Sequence, residues 1–214
     1  MLPFPLANEH VRLTVPTAAD VDRVTAACQD PEIQRWTVVP SPYSRSDAET
    51  FVTQVVPADW ESEASFTWAV REPTSDPAAP DGPLLGMVGI SAQGTAGTEQ
   101  IGEVGFWTAP EARGRGLTTE ATRLVVDWAL DAEGLGLVRA QWLGYVGNWG
   151  SLAVARRLGF RYEGLLRRFA DQRGVRRDAW VASLLPGDAR EARADGGWPT
   201  PPGSSLDPRS VQAR

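Results

Sequence analysis

The chain contains no lysine; all 21 of its basic side chains are arginines. A Walker-type phosphate loop needs a lysine after its second glycine, so that chemistry is excluded. Cysteine is almost as scarce. The single thiol, Cys28, leaves no internal disulfide to form, which suits a reducing cytoplasm. His10 is the only histidine and reads as a surface residue, and no metal site is expected. No apolar run approaches the roughly 20 residues of a membrane-spanning helix. The start, Met1 to His10, lacks the basic and apolar regions of a signal peptide. What is present fits one soluble domain: 214 residues, 42% of them apolar, enough for an ample core.

Charge is uneven along the chain. Residues 1–100 carry 5 arginines against 14 acids, a balance of −9, and residues 101–214 carry 16 against 13, a balance of +3. The acidic half would attract a cationic substrate and the basic half an anion. For most of those residues a solvated surface is the plainer reading. A sequence pI near 4.9 disfavours binding to duplex nucleic acid.

The densest chemistry lies in Glu103 to Ala121, E-V-G-F-W-T-A-P-E-A-R-G-R-G-L-T-T-E-A. A strand-like run, Glu103 to Thr108, meets a turn at Ala109-Pro110. Arg113-Gly114-Arg115-Gly116 follows, and then apolar residues at helical spacing: Leu117, Ala121, Leu124, Val125, Trp128 and Ala129. A glycine-rich turn between strand and helix aims free backbone N–H groups at one point. Its glycines let the main chain approach a ligand without a Cβ in the way. The helix dipole and two arginines add positive charge there, so the place suits a phosphate or pyrophosphate. A dinucleotide fingerprint is not met, because Gly114-x-Gly116 has no third glycine at the right offset. The plainer alternative is a tight turn feeding an amphipathic helix.

The rest of the chain predicts the order β-α-α-β-β-β-α-β-α-β-β. His10 to Val15 alternates as a strand. Thr17 to Asp20 reads as a capping box opening a helix to about Gln29, ended by Asp30-Pro31. Trp36 to Tyr43 is an aromatic, proline-bearing loop. A second capping box, Ser46 to Glu49, starts a helix running towards Pro57. Strands follow at Phe66 to Arg71, Leu84 to Ser91 and Ile101 to Thr108, with a polar, proline-rich hairpin loop at Glu72 to Pro83. The helix after the glycine turn, about Arg115 to Ala132, is expected to stop at Gly134. Leu137 to Leu143 reads as a strand, Asn148 to Leu158 as a short helix, and Phe160 to Ala170 with Val175 to Leu185 as a closing hairpin. From Pro186 the chain is rich in Pro, Gly and Ser and has no periodicity. Residues 1–185 therefore read as the domain and 186–214 as a flexible tail, in which Trp198 is either a docking point or, on the plainer reading, incidental.

Arg113 to Thr118 resembles [RQ]-x-x-G-x-[GA], the coenzyme A pyrophosphate loop of the GNAT superfamily of N-acetyltransferases. Thr118 stands where that pattern has Gly or Ala. Asn148-x-x-Ser151, followed by Arg157, Gly159 and Phe160, resembles the superfamily's second cofactor-contacting segment, above all in the RimJ/RimL-like branch. A plain N-cap is the alternative for Asn148. Pro42-Tyr43-Ser44 with Ala48, the run Glu163 to Arg167, and Asp178 extend the likeness, which covers about residues 8–185. The resemblance implies an α/β (α+β) GNAT fold: a mixed, mostly antiparallel central sheet of about seven strands, with helices on both faces, splayed between two central parallel strands. It implies transfer of an acetyl group from acetyl-CoA, as co-substrate, to a primary amine. The acceptor would be a protein N-terminus, as of a ribosomal protein, or a small-molecule or antibiotic amine. A non-catalytic acyl-CoA-binding module and an enzyme for a longer acyl group such as succinyl are the alternatives. Neither nucleic acid nor membrane is an expected partner, and monomer and homodimer both stay open.

Acyl transfer from a thioester to an amine needs a held cofactor, a neutral amine, a stabilised oxyanion and a protonated leaving thiolate. The resemblance implies that N–H groups of Gly114, Gly116, Thr118 and Thr119 hold the pyrophosphate, with Leu117 in the same loop and Arg113 and Arg115 as counter-charge. The pantetheine arm would lie along Phe106, Trp107 and Thr108, one of whose N–H groups faces the thioester oxygen. Asn148 would bind the pantetheine amide. Ser151 would lie near the sulfur, as proton donor or as positioner. Glu103 is the candidate base, acting through a water if burial raises its pKa, or else a structural carboxylate paired with an arginine. Trp36, Tyr43, Trp68 and Tyr145 are expected to line the acceptor mouth. Cys28 sits in the first helix, away from both motifs, so direct attack in a ternary complex is preferred to an acyl-cysteine. Arg167, Arg168, Arg173, Arg176 and Arg177 either face a negative acyl group or an acidic protein, or form a solvated sheet edge.

Overall fold

The computed structural model describes residues 1–73, 82–94, 98–192 and 197–202. Eight strands form one sheet: β1 (Leu6–Ala7), β2 (Arg12–Thr14), β3 (Ser65–Arg71), β4 (Gly86–Gln93), β5 (Ile101–Thr108), β6 (Arg139–Tyr145), β7 (Arg161–Gln172) and β8 (Val175–Leu184). They lie in the order β1-β2-β3-β4-β5-β6-β8-β7. Every neighbouring pair is antiparallel except β5 and β6, which are parallel. The implied mixed sheet is present with one strand more than the pattern predicts. The extra strand, β1, has only two residues and so carries no alternation to detect. The parallel pairing runs from Ile101 opposite Arg139 to Val104 opposite Trp142 and stops there. Both strands continue, to Thr108 and Tyr145, so they splay apart at the middle of the sheet.

Alternation along the strands sorts side chains onto two cores. Phe66, Trp68, Val88, Ile90, Val104, Ala140 and Trp142 belong to one, covered by α4 (Val56–Ser62), α5 (Leu117–Leu130) and α6 (Trp149–Arg157). Ala69, Met87 and part of Trp107 belong to the other, under α1 (Val21–Cys28), α2 (Pro31–Trp36) and α3 (Arg45–Thr50). The residues that stay on the second face of β5 and β6 at the splay are the ones available to a ligand.

Local chemistry explains where the elements depart from the pattern. The first capping box is real: Thr17 N–H donates to Asp20 Oδ2 at 2.9 Å. Asp30-Pro31 does more than end α1. Asp30 Oδ1 accepts the Ile33 N–H at 2.9 Å and caps α2, so Trp36 closes a helix instead of opening a loop. Pro31 fits that first turn because the N–H it lacks would have no partner there. The second capping box starts at Ser44, with Asp47 as its acid, and not at Ser46. Pro57 does not stop the helix. The chain widens over Phe51–Val55 into a π turn, with Val56 N–H bonded to Phe51 O, and α4 then runs on to Ser62. α5 gives way at Asp131, and the left-handed residue is Gly136, at φ +68°, instead of Gly134. Gly134 is pressed against the Trp128 backbone, where a Cβ has no room.

Of the predicted proline-rich hairpin loop, residues 74–81 lie outside the described residues, as do 193–196 and 203–214 of the C-terminal segment. The expectation that Trp198 is incidental fails. Its ring lies 5.9 Å from that of Trp142 and 5.5 Å from that of Tyr162.

Candidate active site

β5 leads through a short turn, Pro110–Ala112, into Arg113–Gly116 and then α5. Gly114 and Gly116 have φ of +74° and +80°, values that L side chains rarely adopt. The space that a Cβ would take at either is open. The N–H groups of Gly114, Arg115, Gly116, Leu117 and Thr118 have no acceptor among the described residues. Thr119 departs from expectation, because its N–H donates to Gly116 O at 3.0 Å and closes the first turn of α5. The free donors are therefore displaced one step towards the loop, onto Leu117 and Thr118. Thr118, the departure from the motif, has its hydroxyl in a short hydrogen bond with Thr108 Oγ1 at the end of β5. Its N–H is left over for a ligand.

Both loop arginines are engaged by the acidic half of the chain. Arg113 donates to Asp30 Oδ1 at 2.5 Å and Arg115 to Glu72 Oε1. Burial pushes the Asp30 carboxyl up, but the Arg113 hydrogen bond and charge outweigh it and hold it below the usual range.

On α6 the N-cap reading of Asn148 is correct as far as it goes. Asn148 Oδ1 accepts the Ser151 N–H at 3.2 Å, and the amide NH₂ has no acceptor among the described residues. Ser151 Oγ accepts the indole N–H of Trp142 at 2.9 Å, which leaves the hydroxyl proton free to be given elsewhere. Trp142 was not a sequence candidate. It belongs to the buried core, and its position on β6 brings the indole N–H to Ser151 of α6.

Glu103 lies half-buried on the second face of β5, opposite Ser91 of β4 and Gln141 of β6. Burial raises its pKa, and a hydrogen bond from Gln93 offsets part of the rise. No arginine pairs with it among the described residues. The structural ion-pair alternative therefore lacks its partner. Gln93 went unnoticed in the sequence because nothing marks a strand-end glutamine.

Trp36, Tyr43 and Tyr145 line the same cleft as Glu103, with Val38, Val39 and Phe169. Trp36 is fixed by donating from Nε1 to Glu32 Oε2 at 2.8 Å. The hairpin is tied to it by Gln172, a buried residue whose Nε2 donates to Arg35 O at 2.8 Å and Thr37 O at 2.9 Å. Trp68 is not at the mouth. It is fully buried, 4.9 Å from the Trp60 ring, and donates from Nε1 to Phe4 O at 2.8 Å. Its neighbour Thr67 lines the cleft instead; one step along a strand changes the face. Cys28 also reaches the cleft wall, beside Tyr43. Burial pushes its thiol up to about 11, so it supplies no thiolate for an acyl-cysteine at neutral pH. His10 is exposed and lies 3.4 Å from Glu9, and it also lines the cleft.

These parts form one cleft of about 2110 Å³. It runs from the Arg113 to Thr119 loop, past the splay of β5 and β6 and Ser151, to Glu103 and the aromatic mouth. A model of the acetyltransferase (GNAT) domain matches residues 10–161. The chain belongs to the GNAT acetyltransferase family. It is an N-acetyltransferase that uses acetyl-CoA. Among its relatives is YdaF of Bacillus subtilis strain 168, whose name assigns it, provisionally, to ribosomal N-acetylation. That protein is 29% identical over 180 residues, 83% of this chain and 92% of YdaF. Mycobacterium smegmatis RimJ, solved with CoA-disulfide, has a TM-score of 0.71 at 20% identity, covering 86% of each chain. The ribosomal-protein-S5-alanine acetyltransferase of Vibrio fischeri has a TM-score of 0.69 at 18% identity, covering 86% of this chain and 97% of that one. At these identities the two structures establish the shared fold of this acetyltransferase.

Proposed function

We propose that this acetyltransferase acetylates the α-amine of a protein N-terminus, that of a ribosomal protein first, by direct attack within a ternary complex. The observation that carries the reading is the continuity of the cleft. A cradle of unpaired N–H groups at one end connects to a half-buried carboxylate that no arginine meets, and to an aromatic mouth, at the other. The relatives named for ribosomal proteins support the choice of acceptor.

The residues present fit acetyl-CoA. Donors at Gly114 to Thr118, the open side of two glycines and two arginines suit a pyrophosphate. The β6-facing edge of β5 has no strand partner beyond Val104, so Phe106 to Thr108 are free to pair with an extended pantetheine arm. The amide NH₂ of Asn148 is free to hold the same arm. Acetyl-CoA supplies an activated thioester. Glu103 takes a proton from the entering ammonium through a water, which its raised pKa suits. Ser151 gives its hydroxyl proton to the departing thiolate and is restored by the proton that the attacking nitrogen loses as the amide forms, while the Trp142 indole hydrogen-bonds its oxygen throughout.

Free-thiol release from acetyl-CoA with a panel of N-terminal peptides and small amines tests the reading. Turnover on peptides, falling at least a hundredfold in Glu103→Gln with acetyl-CoA binding retained, is the expected result. Binding of acetyl-CoA with no turnover on any amine would make the protein a carrier or regulatory module. Mass spectrometry of cells with and without the protein then names the acceptor.

A further inference from the structure

A second cavity, of about 350 Å³, opens beside the acceptor mouth. Trp36 and Tyr145 line both cavities, so the two share a wall. Across that wall the chemistry changes sign. Glu32, Asp47 and Glu103 line the main cleft, whose arginines are Arg113 and Arg115 of the loop and Arg157 of α6, whereas the side cavity holds Arg35, Arg176 and Arg177 against one carboxylate, Asp178.

None of the three guanidinium groups is held in a bidentate ion pair among the described residues. Arg177 donates from Nε to the neutral Gln172 Oε1 at 3.2 Å. Arg35 lies 4.5 Å over the Trp36 ring and 3.5 Å from Glu32 on its own helix. Arg176 donates to Phe169 O at 2.8 Å, and its nearest carboxylate contact, Asp171, is at 3.9 Å. One oxygen of the Asp178 carboxylate, Oδ1, accepts the Arg168 N–H at 2.7 Å. The positive field reaches the shared wall. Burial raises the Tyr145 phenol, and the charges of Arg173 and Arg177 oppose that rise. Planar guanidinium forks with unused donors, next to a rigid aromatic, are suited to a carboxylate.

We propose that this arginine cavity binds a carboxylate carried by the acceptor close to its amine, so that acceptors bearing both groups are selected. The inference rests on the acyl-transfer reading, because the amine must sit in the main cleft while the carboxylate sits beside it. Two sources supply the pair of groups: an acidic side chain near a peptide N-terminus, or the free carboxylate of a small amino acid. The positive cavity and the negative cleft together orient such a molecule before chemistry.

The test uses the full chain and matched pairs of acceptors. One pair is a peptide with Glu at its second and third positions and the same peptide with Gln there. The other is a free amino acid and its amide. In the wild type, kcat/KM for the acid form is expected to exceed that for the amide form by about tenfold or more, the ratio shrinking as salt rises. The ratio should collapse towards one in Arg177→Gln and, independently, in Arg35→Gln. A preference confined to the peptide pair identifies the peptide source, and one confined to the amino acid pair the small-molecule source. Equal rates for acid and amide in the wild type, or an equal loss on both forms in the variants, overturns the proposal and leaves the acyl-transfer reading standing. Should no amine turn over, calorimetric binding of the same pairs in the presence of CoA decides the cavity's preference on its own, while the acyl-transfer reading falls.

Discussion

At the scale of single residues, Glu103 has a cost and a use. Its pKa is raised by burial, so the folded protein holds that proton more tightly than the unfolded chain does. The sign follows from linkage. Below the unfolded carboxylate pKa the group costs nothing, and stability is lost as pH rises through the raised value. Glu103→Gln is therefore expected to raise Tm at neutral pH, to leave it nearly unchanged near pH 4, and to abolish the acidic limb of the kcat/KM profile. Thermal melts at the two pH values and a pH–rate profile check this. An unchanged acidic limb in the variant would remove Glu103 as the base. Trp142 is the companion case. Trp142→Phe keeps a ring but deletes the 2.9 Å bond to Ser151 Oγ. A neutral hydrogen bond is worth about 1 kcal/mol, so kcat should fall roughly fivefold with the KM for acetyl-CoA unchanged. In a Ser151→Ala background the same change should cost nothing further. That Glu103 and Ser151 line the cleft could be expected from the sequence, because Glu103 opens the strand that leads into the glycine turn and Ser151 lies three residues after Asn148. The place of Trp142 could not, because alternation reports only that a side chain faces inward and not what its N–H meets there. Trp68 was misplaced for a related reason: one step of strand register decides between core and cleft, and composition does not reveal it.

At the scale of elements, polar side chains tie the end of β3 to the turn that opens α1 and to the loop that precedes α5. Asp20, the acid of the first capping box, also accepts both donors of Arg71 NH2, at 2.9 and 2.8 Å, and both side chains are buried. Asp20→Ala removes the carboxylate that meets Arg71 NH2, while the guanidinium keeps Thr14 Oγ1 and Gly82 O as acceptors. The variant is expected to be destabilised by about 1.5–3 kcal/mol in denaturant melts, the worth of a hydrogen bond to a charged group. Arg115 with Glu72 is a different kind of pair, since both side chains are well exposed. Its worth is about 0.2–1 kcal/mol. Yet a phosphate must displace Glu72 to reach Arg115. Glu72→Gln should thus leave Tm within a degree or two and tighten acetyl-CoA by about two- to fivefold, measured by calorimetry. Looser binding in this variant would show that Glu72 helps to shape the loop. The first capping box and the glycine turn were legible because such signals are local, whereas the second box was placed two residues late because Ser46-x-x-Glu49 fits the same pattern as the real Ser44-x-x-Asp47. The π turn before Pro57 and the second cap at Asp30 were not, because a proline marks a missing donor without saying whether the chain stops or widens around it.

At the scale of the whole molecule, most charges of the acidic first half face solvent, but a few of them engage the basic second half. Their charges meet at the cleft, through Asp30 with Arg113 and Glu72 with Arg115. The end of the described chain follows the same logic with apolar groups. Arg190 donates to Asp127 at 2.7 Å and Arg123 to Arg190 O at 3.0 Å, which lays residues after Pro186 along α5. Gly159, at φ +84°, lets the backbone of Ala189 and Glu191 approach where a Cβ would stand. The exposed ion pairs add little. The larger share comes from Trp198 on Trp142 and Tyr162, an aromatic contact with the same indole that holds Ser151. Trp198→Ala is expected to cost about 1–2 kcal/mol of stability, less than the loss of a fully buried Trp because Trp198 is only half covered. Truncation after Leu185 should cost at least as much. In both variants kcat should fall about two- to threefold, because an uncovered Trp142 holds Ser151 less firmly, while acetyl-CoA binding at the far loop is retained. Thermal melts, calorimetry and thiol-release kinetics on the same samples separate the two effects. A loss of stability with kcat intact would confine Trp198 to packing, and no change in either would undo the assignment of the C-terminal segment to the catalytic domain.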